Sequence, residues 1–420
     1  MTISNNNEKN NKEKGYNNYK KRQQRNKKVL IVALSTLAIL IAILLLGKFV
    51  GAIGANEDKP AKEAEVSTEE PVKEEKGESS SVTFMATGDN LIHNTIYEQA
   101  ATRAQNGGYD FTYAYKDIAP IIKDKDLVFV NQETPVATAI AEPSNYPLFN
   151  TPSETVTSLN NIGFNLFNLA SNHSLDQGSE GMEATLDFMA TVPNSINFGL
   201  YRNYADEHTP HLVEKNGIIF GLIGVTEMTN GMSLPSDSQL DVVYTSQTDK
   251  IKTMIEEAKA QADVVILSVH WGDENVQTAS QKQKDMAQRF GDMGADLIIG
   301  HHPHVLQEIE TITCADGRKV PVVYSLGNLI STMQNKANHV GGFFGCTINK
   351  DEDGAINIKD MSFTPVVNYF TSGYSNVHVI PFSSYTGDMA ANHGLGLSIE
   401  DVNTILNNTV GTDLVAKANK

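Results

Sequence analysis

The sequence predicts an α/β fold in which central β-sheets are flanked by helices and are preceded by one transmembrane helix. Two observations lead to this prediction. Short apolar runs alternate with amphipathic helical stretches from residue 81 onward, and an uninterrupted apolar stretch lies earlier in the chain. A chain of 420 residues accommodates either two domains or one large α/β domain with a non-globular extension. The composition of the first 80 residues favours the second arrangement.

The first 50 residues predict a membrane anchor. Residues 1–28 are rich in Asn and Lys and end in a cationic cluster, so we expect a disordered basic tail on the cytoplasmic side. Residues 29–50 are apolar enough to form a transmembrane helix. A cleaved signal peptide is the alternative, because Ala52-Ile53-Gly54 loosely resembles a cleavage site, but the apolar stretch exceeds a typical signal-peptide core.

The segment after the anchor predicts a spacer followed by a folded domain. Residues 51–80 are mainly Glu, Lys, Pro, Ala and Ser, which bury too little apolar surface to fold and predict a flexible stalk. Because the basic flank stays in the cytoplasm, residues 81–420 are expected to form an extracytoplasmic domain at the cell surface.

The secondary structure of this domain follows from its apolar pattern. Buried strands are predicted at Val82–Ala86, Leu127–Val130, Asn165–Leu169, Ile218–Ile223, Val264–Val269, Leu297–Ile299 and Val322–Tyr324. Helices are predicted at Glu180–Met189, Thr248–Ala262 and Gln277–Met293, and another is expected to start with a capping box at Thr151–Glu154.

Charge and cysteine content limit the classes of function. The formal net charge is -17, so nucleic acid is not expected as a partner. An acidic domain can still bind an anionic substrate if a bound cation supplies local positive charge. The two cysteines, Cys314 and Cys346, cannot build a disulfide framework, and nothing else in the sequence supports a bridge between them.

Polar side chains follow five of the predicted strands at their carboxyl ends, where ligands bind in open α/β sheets. Each group includes a residue that can bind a metal, and we expect all five to meet at one edge of one sheet. The residues are Asp89, Glu133, Asn172 with His173 and Asp176, His270 with Glu274, and His301, His302 and His304. Each group alone has an ordinary structural explanation, but together they predict a shared metal site.

The types of ligand limit the metal. Imidazole and carboxylate ligands without thiolate favour zinc, manganese or iron over calcium. A divalent metal ion in such a site activates water and polarises a phosphoryl or carboxylate oxygen. The cofactor is therefore predicted to be a divalent metal ion, Mn, Zn or Fe.

The order of these motifs resembles the CapA-type poly-γ-glutamate capsule biosynthesis proteins, which are relatives of the calcineurin-like metallophosphoesterases. The resemblance covers residues 81 to about 382. Its motifs here are ATGDNLIH (86–93), NQETP (131–135), NLASNHSLDQG (168–178), HWGDEN (270–275), GHHPH (300–304) and YSLGN (324–328). It implies a layered metallophosphoesterase-like fold.

The resemblance also implies roles for individual residues. It implies that the metal ligands are Asp89, Glu133, Asn172, His270, His302 and His304. His173 matches the histidine that assists a leaving group and is the candidate catalytic residue. Residues expected beside the ligands or facing substrate are His93, Asp176, Glu274, His301 and Asn328.

The sequence departs from the phosphoesterase pattern at two positions. Leu91 replaces the histidine expected two residues after Asp89, and Glu133 replaces a bridging aspartate. Hydrolysis of a phosphoester by two metal ions is therefore an open question. YSLGN is either a strand ending in a turn or a segment that places Asn328 in the site. Trp271 is expected to be core packing, with an apolar wall beside His270 as the alternative.

The resemblance implies a function in poly-γ-glutamate capsule synthesis or export. The implied partners are the anionic polymer, integral-membrane synthase and transport subunits, and the membrane bound by the N-terminal helix. Two alternatives are an extracellular metal-dependent hydrolase of phosphoesters or amide-linked polymers, and a non-enzymatic scaffold that binds a polyanion.

Overall fold

Two mixed β-sheets lie face to face in the computed structural model, which describes residues 79–411 and 413–415. In chain order the strands are β1 (Ser80–Asn90), β2 (Leu127–Gln132), β3 (Leu166–Asn168), β4 (Ile196–Phe198), β5 (Leu200–Tyr201), β6 (His211–Lys215), β7 (Ile218–Thr226), β8 (Asp241–Val242), β9 (Val264–His270), β10 (Leu297–His301), β11 (Ile309–Thr313), β12 (Lys319–Val323), β13 (Asn328–Ile330), β14 (Val340–Lys350), β15 (Ile356–Thr371) and β16 (Ser375–Pro381).

The helices fall between these strands and after the last one. They are α1 (Asn94–Arg103), α2 (Thr112–Tyr115), α3 (Ala119–Ile122), α4 (Glu154–Ile162), α5 (Gly178–Met189), α6 (Tyr204–Glu207), α7 (Thr248–Lys259), α8 (Gln281–Met293), α9 (Gly387–Asn392) and α10 (Ile399–Asn408). Single turns of 3₁₀-helix cover Lys336–His339, Ser372–Tyr374 and Phe382–Ser384.

Each sheet combines a parallel centre with antiparallel strands. The first sheet has the order β16-β15-β14-β1-β2-β3-β4, in which β1 to β4 are parallel and β13 also pairs with β1. The second has the order β11-β12-β10-β9-β7-β6, in which β7, β9, β10 and β12 are parallel. Strands β5 and β8 form a separate antiparallel pair.

The alternation of side chains along each strand creates three apolar layers. Successive residues of a strand point to opposite faces, so Val264 and Ile266 pack between the two sheets while Val265 and Leu267 pack against helices α7 and α8. On the first sheet, Phe84 faces the second sheet and Met85 faces the helical layer. The prediction of central sheets flanked by helices is therefore confirmed, and the seven predicted strands all occur.

Two local predictions were wrong. Thr151 does not cap a helix, because its hydroxyl is hydrogen-bonded to Thr134 and α4 begins only at Glu154. The helix predicted to begin at Gln277 begins at Gln281, where Ser280 and Gln283 form the capping box. Both cysteines are buried free thiols.

The N-terminal predictions concern residues that the structure does not describe. The basic tail (1–28), the transmembrane helix (29–50) and nearly all of the stalk (51–80) lie outside the described residues, and β1 begins at Ser80. No helix within residues 79–411 and 413–415 has the length and apolar character needed to cross a bilayer.

The backbone of the second sheet packs closely at Gly300, next to the site described below. A Cβ atom on Gly300 would lie 2.0 Å from the Tyr324 carbonyl oxygen and 2.5 Å from Trp271 Nε1. Only glycine therefore fits here. The fully buried Trp271 donates a hydrogen bond of 3.0 Å from Nε1 to that same carbonyl, so this tryptophan is a core residue, as expected.

Candidate metal centre

The carboxyl ends of strands from both sheets meet at one edge of the sandwich. Strands β1, β2 and β3 of the first sheet lead to Asp89, Glu133 and Asn172, whereas β9 and β10 of the second lead to His270 and to residues 301–304. The order of the motifs predicted that all five groups meet at the edge of a single sheet. The structure instead assembles the site from two sheets, so its two halves face each other across the inter-sheet core.

The centre of this site is a buried group of one carboxylate and two imidazoles. Ligand atoms of Glu133, His302 and His304 all lie within 4.8 Å of one another. Both carboxylate oxygens of Glu133 and Nδ1 of His302 are buried without a hydrogen-bond partner. Because a buried polar atom without a partner is costly, this arrangement fits a cation that all three side chains coordinate. The residues present therefore suit a divalent metal ion.

Asp89 lies beside this group and is held by protein donors. Its Oδ1 accepts a hydrogen bond of 2.8 Å from Asn131, and its Oδ2 accepts one of 3.3 Å from the backbone N–H of His302. Nδ1 of His304 lies 3.2 Å from Oδ2. Asp89 thus joins the first sheet to the loop that carries both imidazoles.

His270 and Asn172 form the opposite side of the site. Nε2 of His270 lies 2.9 Å from Asn172 Oδ1 and 3.8 Å from Glu133 Oε1. Asn131, on β2, lies between Asp89 and His270, with its amide nitrogen 2.8 Å from Asp89 Oδ1 and 3.4 Å from His270 Nδ1. These contacts bring all six predicted ligands into one connected cluster.

Residues 302–304 adopt a strained backbone conformation that places the imidazoles of His302 and His304 close to Glu133. His302 has φ 96° and His304 has φ 58°, on either side of Pro303. Residues other than glycine rarely adopt a positive φ, and such backbone strain costs about 1–3 kcal/mol per residue. The surrounding structure must therefore hold this conformation. The Asn275 N–H donates to the Pro303 carbonyl at 2.8 Å, and Asn338 Nδ2 donates to the His304 carbonyl at 3.1 Å.

Burial and mutual charge shift the pKa values of the whole group. Burial lowers the pKa of His302 to about 4, with the charge of His304 adding to the effect, and burial also lowers the pKa of His270 well below its ordinary value. Burial opposes protonation of His304, but Glu133 and Asp89 raise its pKa to about 10.

The pKa values of Glu133 and Asp89 shift in opposite directions. Burial and then the charge of Asp89 raise the pKa of Glu133 well above its ordinary value, against the attraction of His304. Burial also raises the pKa of Asp89, but the hydrogen bond and charge of His304 outweigh it and leave that pKa low. With both carboxylates ionised the group would carry excess negative charge, and the raised pKa of Glu133 reflects that cost. A divalent cation would stabilise the ionised form of Glu133.

His173 and Asp176 form a hydrogen-bonded pair next to the cluster. His173 Nδ1 lies 2.7 Å from Asp176 Oδ2, which also accepts a hydrogen bond of 2.8 Å from the Phe149 N–H. The Phe149 ring packs edge-on against the His173 imidazole, with centroids 4.8 Å apart. The carboxylate therefore orients the ring through Nδ1, so Nε2 is the nitrogen left for other contacts.

The remaining predicted residues occupy different positions. Asn328 is buried, and its Oδ1 lies 2.9 Å from His304 Nδ1, so it orients an imidazole and is more than a turn residue. His301 lies beneath Asp89 at 3.6 Å and stacks on Phe129, with both ring nitrogens unpartnered. His93 contacts Phe149, whereas Glu274 is exposed and affects the site only through its charge.

Three asparagines in the site were missed by the sequence analysis. Asn131 links Asp89 to His270, Asn230 accepts a hydrogen bond of 3.3 Å from Asn172, and Asn338 holds the His304 carbonyl. A polar pair, Asn131 and Gln132, at the end of a wholly buried strand was the signal available for Asn131. Asn230 lies on the loop after β7 and Asn338 in the 3₁₀-helix Lys336–His339, and nothing in their local pattern indicates the site.

Comparison with known proteins agrees with the motif order. The model of the family described as bacterial capsule synthesis protein PGA_cap matches residues 83–333, which include every predicted site residue. A capsule biosynthesis protein CapA from Bacillus anthracis is 28% identical over 276 residues, covering 62% of each chain. A PGA biosynthesis protein CapA from Bacillus subtilis (strain 168) is 31% identical over 230 residues, covering 53% of this chain and 57% of the relative. The chain thus spans about three fifths of the length of these relatives.

Similar solved structures include two nucleotidases. The NAD nucleotidase of Haemophilus influenzae is 15% identical with a TM-score of 0.45, covering 82% of this chain and 59% of that one. A putative 5'-nucleotidase from Staphylococcus aureus is 16% identical with a TM-score of 0.43, covering 72% of this chain and 54% of that one. Because these TM-scores are low, neither a detailed fold nor an activity is inferred from the two structures. The match over residues 83–333, together with the buried carboxylate and imidazole cluster within it, shows that this chain belongs to the bacterial capsule synthesis protein PGA_cap family.

Proposed function

We propose that this chain takes part in the synthesis or export of a poly-γ-glutamate capsule through a divalent metal ion held at the edge of its sandwich. Family membership and the names of both relatives support the capsule role. The observation that carries the metal-dependent part is the buried group of Glu133, His302 and His304, whose unpartnered polar atoms face one another. Ligands of this type favour Zn, Mn or Fe.

The proposed ligand set comprises Asp89, Glu133, Asn172, His270, His302 and His304. The chemistry that a bound divalent cation supplies is polarisation of an acyl or phosphoryl oxygen. Asn328 orients the His304 ring through Nδ1, which leaves Nε2 for coordination. Asn131 performs the same task for Asp89 by donating to Oδ1.

His173 is the residue proposed to move a proton. Its Nδ1 is occupied by Asp176 at 2.7 Å, so proton transfer takes place at Nε2. A scaffold that only bound a polymer would have no need for an imidazole oriented in this way. The pair therefore favours a catalytic role, and a metal-dependent polymer hydrolase or phosphoesterase is the second candidate.

The proposed location is the outer face of the cell membrane, with residues 29–50 as a single anchor and the described domain outside. The basic residues before the apolar stretch support this orientation, in which integral-membrane synthase and transport subunits are the partners. Protease added to intact cells is then expected to release a folded fragment beginning near Ser81. A domain that stays protected in cells whose wall is permeable to the protease would contradict this location.

The metal-dependent role predicts that polymer processing requires Glu133. The full chain loaded with metal is expected to change the chain length of poly-γ-glutamate, and either a chelator or Glu133→Gln should abolish the change, because the carboxylate supplies anionic ligand oxygens. Chain length is measured by gel filtration. Glu142→Gln is the matched control, since Glu142 is an exposed carboxylate on the same loop.

Two outcomes separate the candidates. Binding of the polymer without any change in its length would favour the scaffold over catalysis. Full processing by the Glu133→Gln protein, or by protein shown to be free of metal, would contradict the proposed function itself.

A further inference from the structure

The loops around the metal centre carry an unusual set of exposed apolar side chains. Among the described residues, eight large apolar side chains are exposed, and six of them lie on loops that follow β2, β7 and β9: Ile140, Tyr146, Leu148, Met228, Met232 and Val276. We call these six residues the apolar rim. The other two, Tyr204 and Ile399, lie on α6 and α10. Clustered exposed apolar groups mark binding surfaces more often than isolated ones do.

The first half of the rim is connected to His173 through the ring of Phe149. Tyr146 is 72% exposed, and its ring centroid lies 6.3 Å from that of Phe149, which in turn packs on His173 at 4.8 Å. Leu148 is 46% exposed and immediately precedes Phe149. The loop is held in place, because Gln177 Nε2 donates to the Phe149 carbonyl at 2.9 Å.

The second half of the rim approaches the same pair from the other sheet. Met228 and Met232 flank Asn230, whose Oδ1 accepts a hydrogen bond of 3.3 Å from the proposed ligand Asn172. The turn between the methionines is closed by Thr229, whose hydroxyl donates to the Met232 carbonyl at 2.7 Å. Both apolar segments are therefore preorganised next to the reacting centre.

Apart from the buried His304 of the metal centre, the same loops contain no cationic side chain. The loops that follow β1, β2, β3, β7, β9 and β10 (residues 91–93, 133–153, 169–177, 227–240, 271–280 and 302–308) have neither lysine nor arginine in their sequences. Their charged residues are Glu133, Glu142, Asp176, Glu227, Asp237, Asp273, Glu274 and Glu308. Two nearby lysines are already paired, Lys282 of α8 with Glu227 and Lys336 with Asp401.

The apolar rim and the negative charge of the surrounding loops together limit the ways in which a polyanion can bind. An anionic polymer cannot be held here by salt bridges to the loops, since their charge repels it everywhere except at the metal centre. In a γ-linked glutamate chain, each unit places two methylene groups in the main chain and keeps its carboxylate on a branch. Such a chain can lie with its methylenes on the rim while its free carboxylates point to solvent.

We infer that the apolar rim recognises the methylene-rich main chain of a γ-linked glutamate polymer, and that only the amide linkage at the metal centre is bound through polar contacts. This inference rests on the proposed function and names how its substrate is selected. An α-linked chain of the same charge has its methylenes in the side chains, so it cannot present the same apolar surface. The site therefore selects the linkage.

The test compares two ligands of equal length and charge on the metal-loaded full chain. Isothermal titration calorimetry is expected to show tighter binding of a short γ-linked glutamate oligomer than of the α-linked one, by about tenfold or more. Raising NaCl from about 50 to about 500 mM should leave the affinity unchanged or increase it, because salt screens the repulsion between acidic loops and ligand. In a groove lined with cations, the affinity would instead fall as the salt concentration rises.

Two double variants test whether the apolar rim is responsible for the affinity for the γ-linked oligomer. Tyr146→Ser with Leu148→Ser should lower affinity for the γ-linked oligomer about tenfold and leave metal content unchanged, because less apolar surface is buried. Tyr204→Ser with Ile399→Ser is the matched control, since it removes the same types of exposed side chain away from the site and should have no effect.

Each contrary result has a distinct meaning. Equal affinity for both linkages, affinity that falls with salt, or unchanged binding by the Tyr146/Leu148 variant would overturn the role of the rim while metal-dependent binding survives. Binding that is identical with and without metal, or no binding of either oligomer, would overturn the proposed function as well.

Discussion

Alanine at His302 or His304 is expected to remove the metal from this protein. Each imidazole is one of three buried groups whose ligand atoms lie within 4.8 Å of one another, so neither has a substitute. Changes to residues that only support a metal ligand typically cost about 10–100-fold in affinity, so loss of a ligand should cost at least about 100-fold. Asp89→Ala should also lower the bound metal. Elemental analysis of the purified full-length variants measures the effect.

The control for this prediction is His208→Ala. His208 follows α6, is half-buried and pairs with Glu257 at 2.9 Å, so it offers an imidazole that lies outside the proposed ligand cluster. Its variant should keep the full metal content. Full occupancy in the His302, His304 and Asp89 variants would refute the metal centre, whereas a similar loss in all four would indicate general misfolding.

Asn328→Ala should give an intermediate result in the same measurement. It keeps every proposed ligand but removes the oxygen that lies 2.9 Å from His304 Nδ1, so affinity should fall by about 10–100-fold.

His173→Ala is expected to separate catalysis from metal binding. The imidazole is oriented by Asp176 and is absent from the buried ligand group, so the variant should keep its metal. Loss of a positioned acid or base typically lowers the rate roughly 10²–10⁴-fold. We therefore expect polymer processing and capsule formation to fall by that order in a strain whose variant protein is metal-loaded and correctly anchored.

Added imidazole provides a check specific to proton transfer. The truncated side chain leaves a space between Phe149 and Asp176 of about the size of the lost ring, so free imidazole should restore part of the rate. A purely structural role for His173 would not respond in this way. Near-normal capsule in the metal-loaded His173→Ala strain would exclude the proton-transfer role and favour the scaffold.

Much of the fold was predictable because its signals are local. The buried runs at residues 82–86, 264–269 and 297–299 are strands in the structure because short β-branched and aliphatic segments of this length are stable only when paired and covered. Strands β14 to β16 were not predicted. The first half of β15 is half-exposed and its alternation is itself a strand signal, but its pairing with β14 depends on contacts that the local sequence does not encode.

The candidate site residues could be named from the chain, because metal chemistry needs particular donor atoms and these follow strand ends. Asp89, Glu133, His302 and His304 could be named without coordinates. Their arrangement could not, since two sheets meet at the site and each contributes half of it. The distance between Asp89 and His304 is set by the packing of the two sheets, which joins residues far apart in the chain.

The sequence by itself thus determined the donor types, the strands that carry them and the family resemblance, because these depend on local composition and order. Only the tertiary structure decided which donors are buried together, that Asn131, Asn328 and Asn338 hold them, and that Tyr146 and Met232 flank the same centre. The physical reason is that burial and hydrogen bonding are properties of the packed chain. An asparagine or an exposed tyrosine has no local pattern that distinguishes a site residue from a surface residue until its neighbours are in place.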